Sequence, residues 1–197
     1  ANLKTFVNFA IGTFNIKLNN PCDTQALKKI YKEAKPPSWP ILEKDIVDEI
    51  IFRTNNPRNR LMLELMARGG MRIGEVLDLT PRDVEDRKLT IRDAKSGRPL
   101  EFVFIPKKIA DRFNQYIRDN KIEPYQRIFP ITFAAARIAV KKAGRMVGIN
   151  LNPHDLRRHA ATYASRAGTP LEIVSKIILR HSNLSTIKSF NCIPAKL

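Results

Sequence analysis

Three prolines within six residues divide this chain into two unequal parts. Segment 35–40 reads KPPSWP. A proline has no amide N–H to give to a helix and fixes its own φ angle, so no helix can cross this segment. We predict an N-terminal piece at 1–35, a linker at 36–40 and one larger domain at 41–197. The first piece is too short to bury a core of its own, so we interpret it as the remnant of a larger helical domain.

Helical spacing of apolar residues dominates the rest of the chain. Segment 60–68 (RLMLELMAR) is apolar on almost every side, which predicts a central buried helix that ends at Gly69 and Gly70. Segments 88–93 and 100–106 flank the turn sequence AKSGRP and predict a β-hairpin. Further helices are predicted at 3–11, 24–34, 107–119, 132–147, 154–167 and 171–180. The expected fold class is mainly α with a small antiparallel sheet (α+β).

The charge of the chain points to a polyanionic partner. Lys and Arg number 35 against 19 Asp and Glu, which gives a net charge of +16. A surplus of this size spread along a globular chain favours nucleic acid. The two cysteines exclude a disulfide framework or a cysteine zinc site and favour a reducing, intracellular setting. We find no apolar run long enough to span a membrane, no signal peptide and no lipidation motif.

A basic stripe follows the predicted helix 132–147. Arg137, Lys141 and Arg145 recur at four-residue intervals, so they share one face of that helix. The apolar residues Phe133, Ala136, Val140, Ala143 and Val147 repeat beside them and predict the buried face. Such a stripe is often only a solvated surface, but the total charge favours a DNA-facing one.

Four segments combine residues that can act on a phosphodiester. They are GGMRIGEVLDLTPRDV at 69–84, the hairpin turn with Lys95, an H-x-x-R pattern at 154–157, and LRHSNLSTIKSF at 179–190. Each pattern alone is weak evidence. Together and in this order they resemble the tyrosine site-specific recombinases, the group that contains phage integrases and Xer-type chromosome resolvases. The resemblance runs from about residue 41 to residue 190 and implies the DNA breaking-rejoining catalytic fold, preceded by the last helices of a SAM-like core-binding domain.

The resemblance assigns two arginines and a lysine to the phosphate. Arg72 and Arg157 would stabilise the pentacoordinate phosphate, because a guanidinium can donate two hydrogen bonds to phosphate oxygens and stays charged. Lys95 would protonate the leaving 5′ oxygen. Lys88 is the weaker candidate because it starts the strand.

Two histidines and a glutamate complete the implied site. His154 would orient the nucleophile or carry its proton, and His181 would donate to the phosphate. Glu75 would fix the geometry without reacting. We predict DNA contacts for Arg98, Arg137, Lys141, Arg145, Arg158 and His159, of which His159 has a structural role as its alternative.

The chain departs from the family at the nucleophile. The family places a tyrosine nine residues after the second histidine, and that position here is Phe190. Phenylalanine has no hydroxyl, so no 3′-phosphotyrosine can form. Either the change is deliberate, or the chain is a naturally degenerate DNA-binding homologue. We favour the first, because every other catalytic position is intact.

The resemblance also implies partners and surroundings. The partner would be double-stranded DNA at a specific site, on which a homotetramer passes strands through a Holliday junction. No metal, nucleotide or redox cofactor and no membrane is implied, and the expected location is cytoplasmic and nucleoid-associated. Two alternatives stay open besides the degenerate homologue. A type IB topoisomerase shares this chemistry but acts as a monomer, and a generic basic RNA-binding protein would require all four segments to coincide by chance.

Overall fold

A computed structural model of the chain describes residues 2–27, 41–92 and 100–180. The chain divides into two units, 1–39 and 40–197. The division falls within the segment predicted as linker, which itself lies outside the described residues. That the first unit is the remnant of a core-binding domain stays a prediction.

The first unit contains helix α1 (Asn2–Thr13) and a short 3₁₀ turn (Pro21–Asp23). Asn20 joins them: its amide nitrogen donates to Asn8 Oδ1 at 2.7 Å and to the Lys4 carbonyl at 3.0 Å, while its Oδ1 accepts from the Cys22 N–H at 2.8 Å. Residues 25–27 are helical, and the remainder of the helix predicted at 24–34 lies outside the described residues.

The second unit is mostly helical and carries one small antiparallel sheet, which confirms the predicted fold class. Its helices are α2 (Lys44–Arg53), α3 (Pro57–Gly69), α4 (Ile73–Leu77), α5 (Lys107–Asp119), α6 (Phe133–Arg145), α7 (Pro153–Arg166) and α8 (Leu171–Ile173). Its strands are β1 (Val84–Glu85), β2 (Lys88–Arg92) and β3 (Leu100–Phe104), in the order β1-β2-β3. The predicted hairpin is the β2–β3 pair, in which Leu89 lies opposite Val103. Strand β1 was not predicted, because two residues leave no alternation to recognise.

Helix α3 is the centre of this unit, as its sequence predicted. Its residues 61–67 are all buried, and it packs against α2, α5 and α7. Asn56 caps its start by accepting from the Asn59 N–H at 3.0 Å. Gly70 ends it with φ +62°, and a Cβ there would lie 2.9 Å from Ile178 Cγ2. Glycine therefore makes both the turn and the close approach of the following chain possible.

Two helix predictions need correction. Phe133 was assigned to the buried face of α6, but it is 52% exposed, whereas Ala136, Val140 and Ala143 are buried. Phe133 is the first residue of the helix, and its side chain therefore leans beyond the packed turns. The helix predicted at 171–180 is α8 followed by a π-helical turn (Val174–Ile178). Among the described residues, no helix has the length and apolar character that crossing a membrane requires.

Candidate active site

The site begins where Gly70 turns the chain from α3 into α4. Arg72 is the residue that caps α4. Its backbone N–H donates to Glu75 Oε2 at 2.8 Å, and its Nη1 donates to Glu75 Oε1 at 2.5 Å. Because Glu75 lies one turn into the helix, its carboxylate can reach both groups. The G-x-R-x-x-E sequence thus holds Arg72 by its own helix start.

Arg157 lies on α7, one turn after His154, and is only 4% exposed. Its Nη1 donates to the Gly70 carbonyl and its Nη2 to the Leu179 carbonyl. The same Nη1 is 4.0 Å from Glu75 Oε2. Arg157 therefore connects the end of α3, the end of the π-helical turn and the Arg72–Glu75 pair.

A third arginine, Arg180, enters the same site and was not predicted from the sequence. It is 3% exposed and has φ +46°, a left-handed conformation that is unfavourable for a residue with a Cβ. Its Nη2 donates to Glu75 Oε2 at 2.5 Å, and its Nε is 3.1 Å from Oε2 of the buried Glu101 on β3. Its only sequence signal is its place directly before His181. We call Arg72, Arg157, Arg180, Glu75 and Glu101 the arginine cluster.

The arginine cluster carries a surplus of positive charge. Burial alone would raise the pKa of Glu75. The charge of Arg180, the two hydrogen bonds from Arg72 and the charge of Arg157 outweigh burial, so the pKa lies below its ordinary value. Burial, Arg72 and Arg180 lower the pKa of Arg157 to about 9, so this guanidinium is still charged at neutral pH. Three guanidiniums against two carboxylates leave one positive charge that a phosphodiester could neutralise.

His154 lies at the edge of the arginine cluster, in the first turn of α7. The residue as a whole is exposed, but its ring is partly buried. This burial is the largest cause that lowers the pKa of His154 below its ordinary value, and the positive charges of Arg158, Arg157 and Arg72 add to it. Asp155 acts in the opposite direction and is outweighed. The imidazole is therefore neutral at pH 7, in a form that can accept a proton.

His159 is buried between the helices. Its Nδ1 lies 2.8 Å from the Leu42 carbonyl, and its Nε2 lies 3.2 Å from Arg68 Nη1. A carbonyl can only accept and a guanidinium can only donate, so the proton is on Nδ1 and the ring is neutral. Of the two roles predicted for His159, this geometry favours the structural one.

The predicted DNA contacts on α6 differ from the paired cations of the second unit. Arg137, Lys141 and Arg145 are exposed, and none of them pairs with a carboxylate within the described ranges. Several other cations of this unit are paired with carboxylates, for example Arg53 with Glu49 at 2.6 Å. Helix α6 contains no acidic residue and packs against α4, the helix that Arg72 caps. Arg158, by contrast, lies 3.1 Å from Asp155.

Four predicted site residues lie outside the described residues: Lys95, Arg98, His181 and Phe190. The structure thus brings together Arg72, Glu75, Arg157 and His154 of the implied site, and adds Arg180 and Glu101.

Comparison with known proteins agrees with this geometry. The model of the phage integrase family matches residues 41–192. Tyrosine recombinase XerA of Pyrococcus horikoshii is 30% identical over 185 residues, which cover 88% of this chain and 64% of that protein. A tyrosine recombinase of Pseudothermotoga lettingae is 29% identical over 196 residues, covering 94% and 66%. The chain spans less than two thirds of the length of these relatives.

Solved structures show the same fold. The crystal structure of XerA recombinase superposes with a TM-score of 0.69 at 20% identity, covering 98% of this chain and 78% of that one. The catalytic domain of bacteriophage HP1 integrase gives 0.60 at 22% identity, covering 80% and 90%. A Tyr-to-Phe variant of the Tn1549 transposon integrase, solved in complex with transposon right end DNA, gives 0.68 at 19% identity, covering 95% and 71%.

Proposed function

The chain belongs to the phage integrase family, and from this premise we propose that it is the catalytic part of a site-specific DNA recombinase. In the tyrosine form, the phenolic oxygen attacks a backbone phosphorus and forms the P–O bond of a 3′-phosphotyrosine. The bond from phosphorus to the 5′ oxygen breaks, and that oxygen leaves as a hydroxyl after gaining a proton. A 5′ hydroxyl of another strand then reverses these steps and rejoins the DNA, through a Holliday junction within a tetramer.

The observation that carries this proposal is the convergence of the half-buried Arg72 and the buried Arg157 on Glu75. Both guanidiniums are fixed by the fold before any substrate arrives, Arg72 by Glu75 and Arg157 by two backbone carbonyls. Preorganised donors of this kind stabilise the charge that develops on the phosphate in the transition state. Arg72 keeps a quarter of its side chain exposed, and so it is the arginine that can meet the DNA directly.

Proton transfer is assigned to neighbouring groups. A neutral His154 can accept the nucleophile's proton or orient its hydroxyl. Lys95 is proposed as the acid that protonates the leaving 5′ oxygen, and His181 as a further donor to the phosphate. These last two assignments rest on the sequence resemblance.

Binding of duplex DNA is proposed to extend along α6. Arg137, Lys141 and Arg145 are exposed and have no carboxylate partner among the described residues, so each can replace a counterion at a backbone phosphate. Arg98 and Arg158 are proposed as additional contacts. Since α6 packs against α4, a duplex bound there would run close to Arg72.

Phe190 is proposed to make this chain bind DNA without cleaving it. The complex of the Tyr-to-Phe Tn1549 integrase variant with transposon DNA supports retention of binding after such a change. The test compares the chain with a Phe190→Tyr variant on candidate target DNA that carries a nick near the cleavage position. Denaturing gels should reveal a covalent protein–DNA adduct with Tyr only.

Two controls separate the alternatives. Arg72→Ala in the Phe190→Tyr background should abolish the adduct, and an adduct that survives this change would contradict the assignment. Tight binding of the same DNA without an adduct in either protein would favour a degenerate DNA-binding homologue. Relaxation of supercoiled plasmid that lacks any recombination site would favour the type IB topoisomerase.

A further inference from the structure

Arg180 is a buried cation that the proposed reaction does not use. It lies at the end of the π-helical turn, in a left-handed conformation, and its side chain points into the arginine cluster. A glycine would adopt that backbone conformation without the steric conflict of a Cβ. The fold instead keeps a long charged side chain there, almost completely removed from solvent.

The contacts of Arg180 lead to two carboxylates from separate elements. Its Nη2 donates to Glu75 of α4, and its Nε lies 3.1 Å from Glu101 of β3. Its Nη1 donates to the Ile178 carbonyl at 3.1 Å. Arg180 thus divides its one positive charge between Glu75, the residue that also holds Arg72, and Glu101.

Removing Arg180 would change the charge available to a phosphate. Two guanidiniums and two carboxylates would then remain in the arginine cluster, with no surplus. Arg157 Nη1 lies 4.0 Å from Glu75 Oε2, the oxygen that accepts from Arg180 Nη2. We expect Glu75 to draw Arg157 toward itself and away from its two backbone carbonyls.

We propose that Arg180 is a positioning residue of the active site: it offsets one of the two negative charges of Glu75 and Glu101, so that Arg72 and Arg157 together keep one surplus positive charge for the phosphodiester. This inference rests on the proposed function for the identity of the substrate. The charge balance itself can be tested with a simple anion and needs no cleavage.

The first experiment measures sulfate binding to the chain with Phe190 in place. Sulfate is titrated at constant ionic strength, and the Nε–H signals of Arg72 and Arg157 are followed by ¹⁵N NMR. We expect R180Q to weaken sulfate binding about tenfold, because one nearby charge is lost in a buried site. R180K, which keeps the charge, should recover most of the affinity.

A charge-compensating variant separates electrostatics from packing. R180Q/E101Q removes one cation and one anion, so the surplus returns and sulfate affinity should rise again to within about threefold of the parent. E101Q alone should bind sulfate more tightly than the parent. R166Q removes the same charge from an exposed pair with Glu43 and should leave the affinity unchanged. Thermal unfolding confirms that each variant is folded.

The result that would overturn the proposal is unchanged sulfate affinity in both R180Q and E101Q. If R180Q does not fold, E101Q and R180K alone test the proposal. E101Q raises the surplus charge and should bind sulfate more tightly than the parent, whereas R180K preserves the charge and should bind sulfate almost as tightly as the parent. A folded R180Q/E101Q that binds as weakly as R180Q would also contradict the charge argument.

A cleavage assay distinguishes this failure from failure of the proposed function. In the Phe190→Tyr background, R180Q should lower the single-turnover rate of adduct formation about tenfold or more while DNA affinity stays the same. Without any adduct from Phe190→Tyr itself, the proposed reaction fails, yet the sulfate results still decide the role of Arg180.

Discussion

Replacing Glu75 by glutamine tests the electrostatic reading of the arginine cluster. The Glu75 side chain is 7% exposed, lies 2.5 Å from both Arg72 and Arg180, and is 4.0 Å from Arg157. Removing one partner from a buried ion pair costs about 3–5 kcal/mol of unfolding free energy, because the other charge stays buried without compensation. Glutamine keeps the shape and can still accept from the Arg72 N–H, which favours the lower end, about 3 kcal/mol.

Urea unfolding followed by far-UV circular dichroism at pH 7 measures this loss. With a denaturant slope of about 1–3 kcal/mol/M, a loss of 3 kcal/mol lowers the unfolding midpoint by about 1–3 M. The matched control is Glu43→Gln, which removes a carboxylate from the exposed pair with Arg166 at 2.7 Å. It should cost less than about 1 kcal/mol.

The pH dependence of the Glu75→Gln effect gives the sharper test. The pKa of Glu75 is lowered in the folded state, so its ionised form stabilises the fold above the unfolded pKa of about 4.3. That stability is lost as the pH falls through the lower folded pKa. The difference between parent and variant should therefore be full at pH 6–7 and shrink below about pH 4. A cost under about 1 kcal/mol at pH 7, or a cost that stays constant down to pH 3, would contradict an electrostatic role of Glu75.

Two further predictions concern the DNA surface and the packing of α6. Neutralising Arg137, Lys141 and Arg145 together by glutamine should reduce the slope of log K against log salt by about 2.7, measured by fluorescence anisotropy on duplex DNA, and an unchanged slope would exclude α6 from the phosphate contacts. Gly144→Ala should destabilise the fold by about 1–3 kcal/mol in urea unfolding, because its Cβ would lie 2.3 Å from Leu151 Cβ. Gly74→Ala, whose Cβ would meet no described atom within 4 Å, should instead be neutral or stabilising, and equal effects of the two changes would contradict the packing argument.

The helices were predictable because their apolar periodicity and their end signals agree. Helix α3 starts at the Asn56 cap and Pro57 and ends at Gly70, and its apolar residues fill every side that its neighbours cover. The β2–β3 hairpin was predictable from two β-rich runs around a turn sequence. Phe133 was misassigned because a heptad pattern does not reveal how far the core extends along a helix.

Strand β3 shows why the site was harder to predict than the fold. Its sequence, LEFVF, would place Leu100, Phe102 and Phe104 in the core on apolar character alone, yet these three are exposed and Glu101 is buried with Val103. Burying Glu101 costs free energy unless a cation is buried with it. One such cation is Arg180, whose Nε lies 3.1 Å from Glu101 Oε2 although the two residues are far apart along the chain.

The same dependence on distant partners governs the whole arginine cluster. Short motifs predicted Arg72, Glu75, His154 and Arg157 as site residues, and each motif lies at the start of a helix. The pairing of guanidiniums with carboxylates depends on contacts between residues that are distant in the sequence. Glu75 and Arg180, for example, are 105 positions apart. No local pattern encodes such a pairing, and net charge reports only the sum over the chain. On the proposed role of Arg180, a buried cation outside the recognised motifs changes the charge offered to a phosphate while every motif residue stays in place. The charge-compensating Arg180 and Glu101 variants therefore test this role more directly than a further substitution within the motifs.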